Sequence, residues 1–198
     1  MAIKFPGYLL IAYGLFCFVL GWEPYARDVW LAENIPMWII VAGIVWIHCR
    51  HHQFSTFSLL MMGVLIVLHT IGGHYTFERV PFEWFSKLFG FERNHYDRIA
   101  HFSVGFYAFA LAELLWEKQA VNNRLVLFLF PVFAIFTVAA LYEIVEWQYA
   151  ISADPEAGIA VLGSQGDIWD AQKDMLSDGI GAISAALLFF LIRKPVYR

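Results

Sequence analysis

Asp97 and His101 stand four residues apart, and Asp167, Asp170, Asp174 and Asp178 follow at spacings of three and four. Residues four apart share one face of a helix. Asp97 with His101 therefore reads as an acid–base pair or as two ligands of one metal ion. At about 100° per residue, the four later aspartates fall within a stripe of roughly 80°. Like charges at this spacing destabilise a bare helix. A divalent cation, Lys173, Arg98 or the N-terminal end of the helix dipole must offset the repulsion. Oxygen ligands alone suit Mg, Mn or Ca, and adding His101 admits Zn or Fe. Glu143 and Glu146 lie three apart in an apolar run, where two carboxylates repel unless protonated, cation-bound or solvated.

These residues give a candidate divalent-metal set of His101, Glu143, Glu146, Asp170, Asp174 and Asp178. His101, Glu146 and Asp97 are the candidates for acid–base chemistry. Arg93 and Arg98 flank Asp97 and suit an anionic headgroup or phosphate. His74, after Gly72-Gly73, is a further candidate for substrate contact. Each feature also has a plainer reading. Asp97 suits a first-turn carboxylate, and Asp167 an N-cap with Asp170 at the third helical position. Arg98 can pair with the stripe, and Glu143 and Glu146 can be solvated at an interface. His48, His51 and His52 read as a solvated cluster, and Glu113 and Glu117 as carboxylates that snorkel outward.

The elements that must position these groups are transmembrane helices. Hydrophobic residues make up 60% of the 198-residue chain and charged residues 15%, which places it among membrane proteins rather than soluble domains. Aromatics at 18% are excessive for a soluble core but normal for interfacial belts. The net charge of −4 and the lack of a basic block exclude a nucleic-acid partner. Cys17 and Cys49 have no CxxC partners, so neither a disulfide framework nor a zinc knuckle is expected.

Apolar runs near 5–22, 35–50, 55–73, 98–116, 124–147 and 179–193 predict an all-α bundle of six spans in a single domain, 1–198. Gly21-Trp22-Glu23-Pro24 is a poor signal-cleavage site, so the first run is expected to stay as a helix. Pro81–Phe89 predicts a short amphipathic helix in the interface, and Ser152–Gly166 a loop. Lys4, Arg50, Lys118, Arg124, Arg193, Lys194 and Arg198 fall on one side of six spans. The positive-inside tendency then puts both termini in the cytoplasm and gathers the candidate site at the outer leaflet of a bacterial inner membrane.

Three strings, Gly72-Gly73-His74-Tyr75-Thr76, Arg93–Phe102 and Gly163–Met175, closely resemble the YjdF-type bacterial inner-membrane proteins. The resemblance covers essentially the whole chain and implies location and fold more than activity. A looser similarity is to VanZ-like membrane proteins, in Asp97-x-x-x-His101-Phe102, a late glutamate (Glu143 or Glu146), and Asp170, Asp174 and Asp178-Gly179 before the last helix. Asp170-x-x-x-Asp174-x-x-x-Asp178 also matches half of the CDP-alcohol phosphotransferase metal motif. The other half is absent, so that activity is not expected.

The leading expectation is a metal-dependent membrane enzyme acting on a lipid or lipid-linked substrate, phosphorylated ones included, at the outer face. The metal would polarise a phosphoryl or acyl group or activate water. The alternatives are a small transporter or cation-binding protein using the carboxylates as an ion or proton relay, and a structural membrane protein with a bridging ion.

Overall fold

The computed structural model describes residues 5–153 and 155–194, and these are helical throughout apart from short connections. The helices are α1 (Phe5–Leu20), α2 (Arg27–Arg50), α3 (Thr56–Tyr75), α4 (Glu83–Phe89), α5 (Tyr96–Val104), α6 (Tyr107–Glu117), α7 (Arg124–Ser152), α8 (Pro155–Leu162) and α9 (Asp170–Arg193). Five segments are long and apolar enough to cross a bilayer: α2, α3, α5 with α6, α7 and α9. The apolar α1, at 16 residues, is shorter. Lys4 and Arg198, used in the charge argument, lie outside the described residues.

Local chemistry sets several boundaries. Ser55 accepts from the Ser58 N–H at 3.2 Å and caps α3. The Asn123 side chain accepts from the Leu125 and Val126 N–H groups and caps α7. Each satisfies donors that a helix start leaves without intrahelical partners. The interfacial α4 follows Pro81 as expected, and Gly90 ends it at φ +71°, a left-handed conformation that glycine adopts without steric cost. Trp84, Leu88 and Phe89 project from α4, an apolar surface suited to the bilayer interface.

The structure corrects three boundaries. The second span begins at Arg27, eight residues earlier than expected, because the polar Arg27, Asp28, Glu33 and Asn34 dilute the hydropathy of its first turns. The span expected over 98–116 is two helices broken at Gly105-Phe106. The segment read as a loop, Ser152–Gly166, contains α8, whose Val161 and Ala160 pack with Val29 of α2. The last helix begins at Asp170, so Asp170, Asp174 and Asp178 lie on it ahead of the apolar run from 179, as their helical spacing predicts, and Asp167 stands before it.

The core lies where α6, α7 and α9 meet, around Phe109, Leu127, Ile135, Ala182, Ala185 and Phe189. Small residues allow close helix approach. At the break between α5 and α6, a Cβ on Gly105 would collide with the backbone of Gly181 and Ala182, and one on Gly181 with the Phe102 carbonyl. This contact presses α5 against α9 and sets the distance between the two halves of the candidate site. Gly105→Val is therefore expected to cost about 1–3 kcal/mol or more by overpacking. It should lower the melting temperature in detergent far more than Gly14→Ala, whose Cβ meets open space. Equal melting temperatures for the two variants would contradict the close approach.

Candidate functional site

Three connected polar groups gather at the end of the bundle where α2, α5 and α9 begin and α3 and α7 finish. The outermost is an arginine–aspartate network. Arg93, ahead of α5, reaches Asp170 at 2.7 Å and Asp167 at 3.5 Å. Arg98, on α5, pairs with Asp170 and Asp174 and lies 3.6 Å from Asp167. Lys173 holds Asp167 at 2.6 Å. The Lys173 ammonium and the Trp169 N–H keep the Asp167 carboxyl below its usual range. Burial, with Arg93, Arg98 and Lys173 nearby, pushes the His95 imidazole down. Asp167 is thus not the N-cap of α9. It accepts from the Trp169 N–H at 3.1 Å in the turn before the helix, and Trp169 holds the cap position.

In charge terms this outer network is balanced, with Arg93, Arg98 and Lys173 facing Asp167, Asp170 and Asp174. Asp170, expected as a metal ligand, is held by two guanidinium groups. Arg93 and Arg98, expected to meet an anionic substrate, are already paired. A buried charge needs such a partner, which is why the polar start of α9 tolerates 7% and 3% exposure at Asp170 and Asp174.

Beneath the network lies the second group, centred on His101. Its Nδ1 sits 3.3 Å from both oxygens of Asp178 and faces that carboxylate as a donor. Its Nε2 is 3.6 Å from Asp97 Oδ1 and 3.7 Å from Asp174 Oδ1. The latter two separations exceed hydrogen-bond length. Two ligands of one tetrahedral ion, each about 2.0–2.2 Å from it, lie about 3.4 Å apart. One ligand atom from each of Asp97, His101 and Asp174 falls within 4.8 Å of the others. A ligating histidine ordinarily gives its other ring N–H to a carboxylate, the position Asp178 takes here. The geometry therefore separates the aspartates expected as ligands. Asp97 and Asp174 face the His101 nitrogen that is left over, whereas Asp178 orients the ring. Arg98 reaches the same Asp174 oxygen, so an ion would share that oxygen with the guanidinium.

The third group was not anticipated from sequence. Glu33 of α2, His69 of α3 and Tyr142 of α7 meet in the interior. The Tyr142 hydroxyl donates to Glu33 Oε2 at 3.3 Å, and His69 Nε2 lies 3.2 Å from that hydroxyl and 3.6 Å from Glu33 Oε2. Glu33 is 2% exposed. Members of the second and third groups meet at one cavity of about 70 Å³, lined by His69, Asp97, His101, Tyr142, Glu146 and Asp178 with apolar side chains. At about 30 Å³ per water, it has room for an ion with a water or two.

Glu146 joins this cavity wall. Glu143 does not, and its Oε1 has no hydrogen-bond partner among the described residues. His74 stands apart from the site. Its Nδ1 lies 2.7 Å from the Leu20 carbonyl and its own carbonyl accepts from the Tyr25 N–H, so it joins the end of α3 to the α1–α2 connection.

At the opposite end, two sequence readings are corrected. Glu113 does not snorkel. It is fully buried, accepts from the Ser55 N–H at 2.8 Å and pairs with Arg193. His52, read as solvated, is 7% exposed, with its two nitrogens 3.7 Å from Glu113 and 3.8 Å from Glu117. Burying Glu113 against three elements satisfies it better than an extended side chain at the interface would.

Comparison with known proteins adds a family. The pattern of the family described as "Predicted membrane protein (DUF2238)" matches residues 5–195. The Escherichia coli (strain K12) protein named "Inner membrane protein YjdF" is 29% identical over 179 residues, which span 87% of this chain and 82% of that relative. No solved structure matches the chain.

Proposed function

The chain belongs to the predicted membrane protein family DUF2238, and we propose that it is a metal-dependent enzyme acting on a lipid or lipid-linked substrate at the outer leaflet of the inner membrane. One observation carries this reading: His101 presents Nε2 to Asp97 and Asp174 while its Nδ1 is held by Asp178. That set leaves coordination positions open, as a catalytic rather than a structural site requires. A divalent ion there would polarise a phosphoryl or acyl oxygen or lower the pKa of water. Charge supports a cation as well. Once Arg93, Arg98 and Lys173 are paired, Asp97, Asp178 and Glu146 remain around one cavity with only His101 and His69 as bases. Asp97 and Glu146 are the acid–base candidates beside the ion, and the exposed apolar face of α4 suits a substrate entering from the interface.

Incubation with a total-lipid extract and Mg, Mn or Zn, followed by mass spectrometry, tests the reading. Turnover of one lipid class is expected. Asp178→Asn should lower it roughly 10–100-fold through the loss of ring orientation. No conversion of any lipid would remove the enzymatic reading.

One observation favours a second reading, a cation-binding or ion-relay protein. The cavity of about 70 Å³ is large enough for an ion and a water or two but too small for a lipid headgroup, so a lipid reaction requires an opening of the site. Against a continuous relay, the apolar core around Phe109, Ala182 and Phe189 separates the two polar ends.

The orientation, with both termini cytoplasmic, rests on the lysines and arginines at the span ends and the inner-membrane relative. In a protein with Cys17 and Cys49 replaced by alanine, Ile159→Cys on α8 should label with an impermeant maleimide in cells with a permeabilised outer membrane. Labelling only after the inner membrane is opened would reverse the orientation and place the site at the cytoplasmic leaflet.

A further inference from the structure

A second cavity lies among α1, α2 and α3, and α1 takes no part in the first. Near their connection, α1 and α2 are joined. Trp38 Nε1 donates to Cys17 Sγ at 3.3 Å, and the Trp30 ring packs on Gly21. Beyond that contact α1 packs on α3 rather than on α2. A groove of about 790 Å³ opens there between α1 and α2, with Leu59, Gly63 and Val67 of α3 in its floor. It follows α1 from Pro6 to Phe16 and α2 from Val41 to Cys49. Along α1 that is about 15 Å, half of the roughly 30 Å hydrocarbon core of a bilayer. The groove is therefore one leaflet deep. Its closed end is the Trp38–Cys17 contact, and its mouth is at Pro6, His48 and Cys49.

Of the described α1 and α2 residues that line the groove, only Tyr13, His48 and Cys49 are polar. Such a space offers water few hydrogen-bond partners, and apolar cavities stay dry and take up apolar molecules. Left empty, it would forfeit the dispersion contacts of every side chain along it. At this depth in a bilayer the available apolar molecule is a lipid chain. The mouth selects the headgroup. His48 lines it, Arg50 and His51 follow in exposed positions, and the run from His48 to His52 contains no acidic residue. A guanidinium with imidazole donors beside it suits a phosphate. We propose that this groove binds one acyl chain of an anionic glycerophospholipid from the leaflet on the Arg50 side, with the phosphate beside His48, Arg50 and His51. The bound chain fills the gap between α1 and α2 and so completes the packing of α1. This site is separate from the His101 cluster and does not depend on the metal or enzymatic reading.

The test is photo-crosslinking of the full chain in bilayer discs of phosphatidylcholine. The probe is a trace of phosphatidylglycerol carrying a diazirine in one acyl chain, and labelled peptides are mapped by mass spectrometry. Labels are expected on the groove residues Phe16, Leu59 and Ile66. They are also expected on Phe133 and Leu141 of α7, which are exposed to any boundary lipid. A few mole per cent of unlabelled phosphatidylglycerol should reduce the groove labels several-fold, while those on α7 fall only in proportion to dilution. Phosphatidylcholine with the same diazirine chain should label the groove less. Arg50→Gln should cut groove labelling by phosphatidylglycerol roughly fivefold, the contribution of one basic residue near a membrane surface. A Cβ on Gly63 meets open space, so Gly63→Trp places an indole in the groove and should abolish its labels. Gly14→Trp, at another open position but off the groove, should leave them unchanged.

Groove labels that dilute in step with those on α7 mark ordinary boundary lipid and overturn the proposal. So do groove labels that persist in Gly63→Trp. A groove without lipid labels, with cross-links between two copies of the chain, makes a second copy the occupant and overturns it as well. Equal labelling by phosphatidylcholine and phosphatidylglycerol overturns the anionic headgroup. The competition is read on the wild-type chain, so it decides the matter even if a variant fails to fold.

Discussion

Replacing His101 by alanine is expected to abolish the response of this protein to divalent cations. If the wild-type chain binds an ion through His101, Asp97 and Asp174, adding that ion at about 100 times its Kd stabilises the folded state by about 2.7 kcal/mol. For a chain of about 200 residues this corresponds to a rise in Tm of roughly 5–10 °C. His101→Ala removes the one nitrogen ligand and the ring that Asp178 orients, so the rise should vanish and turnover with it. Asp97→Asn keeps the size of the side chain and removes its charge, and it should reduce the cation response in part. Thermal unfolding in detergent, scanned across Mg, Mn, Ca and Zn, makes the measurement. A wild-type Tm indifferent to all four ions would leave the carboxylates as a purely internal network and end the metal reading. An undiminished rise in His101→Ala would move the ion elsewhere.

Arg98→Ala is expected to produce the largest loss of stability without added cation. Its guanidinium pairs with Asp170 and Asp174 and lies 3.6 Å from Asp167, and the side chain is only 11% exposed. Removing one partner of a buried ion pair costs about 3–5 kcal/mol, because the charge left behind has neither water nor partner. Arg93 remains on Asp170, so Asp174 bears most of the loss. The same substitution has a second expected consequence. Arg98 and the proposed ion share an Asp174 oxygen, so removing Arg98 should tighten divalent-cation binding even as the apo protein is weakened. The stabilisation by cation should then exceed that of wild type. Arg98→Lys should recover only part of the loss, since an ammonium cannot span two carboxylates as the planar fork does. Loss of stability with no gain in cation response would show that Arg98 and the cation do not compete.

The two substitutions separate what the network does from what the site does. Arg98 balances charge so that the polar turns of α9 can pack, whereas His101 sits where ligands converge. A variant that unfolds and a variant that folds but ignores cations are distinguishable by the Tm measured in chelator alone.

Much of this arrangement was legible in the sequence because it is local. Six apolar runs, the interfacial helix after Pro81 and the one-faced aspartate stripe follow from composition and helical periodicity. Those depend only on residues within a few turns of one another. The shared end of Asp97, His101, Asp174 and Asp178 follows from alternating helix direction, so their meeting across α5 and α9 was an inference of the same kind. Boundaries failed where local signals mix. The first turns of α2 carry Arg27, Asp28, Glu33 and Asn34, which lower the hydropathy of residues the fold nevertheless buries. Gly105 breaks the fourth span because α9 packs against its backbone, a condition no window of sequence contains. His69 did carry a signal, a lone ionisable residue within the apolar run of α3, where such a residue is expensive. Its partners Glu33 and Tyr142 come from two other helices, and neither spacing nor composition relates the three. The sequence by itself determined that acidic groups and a histidine must be held at one end of a membrane bundle. Only the tertiary structure decided which aspartates the arginines neutralise, which of them face the His101 nitrogen, and that a second histidine looks onto the same cavity. Pairing of buried charges depends on separations of a few ångströms between helices, and helix packing alone sets those.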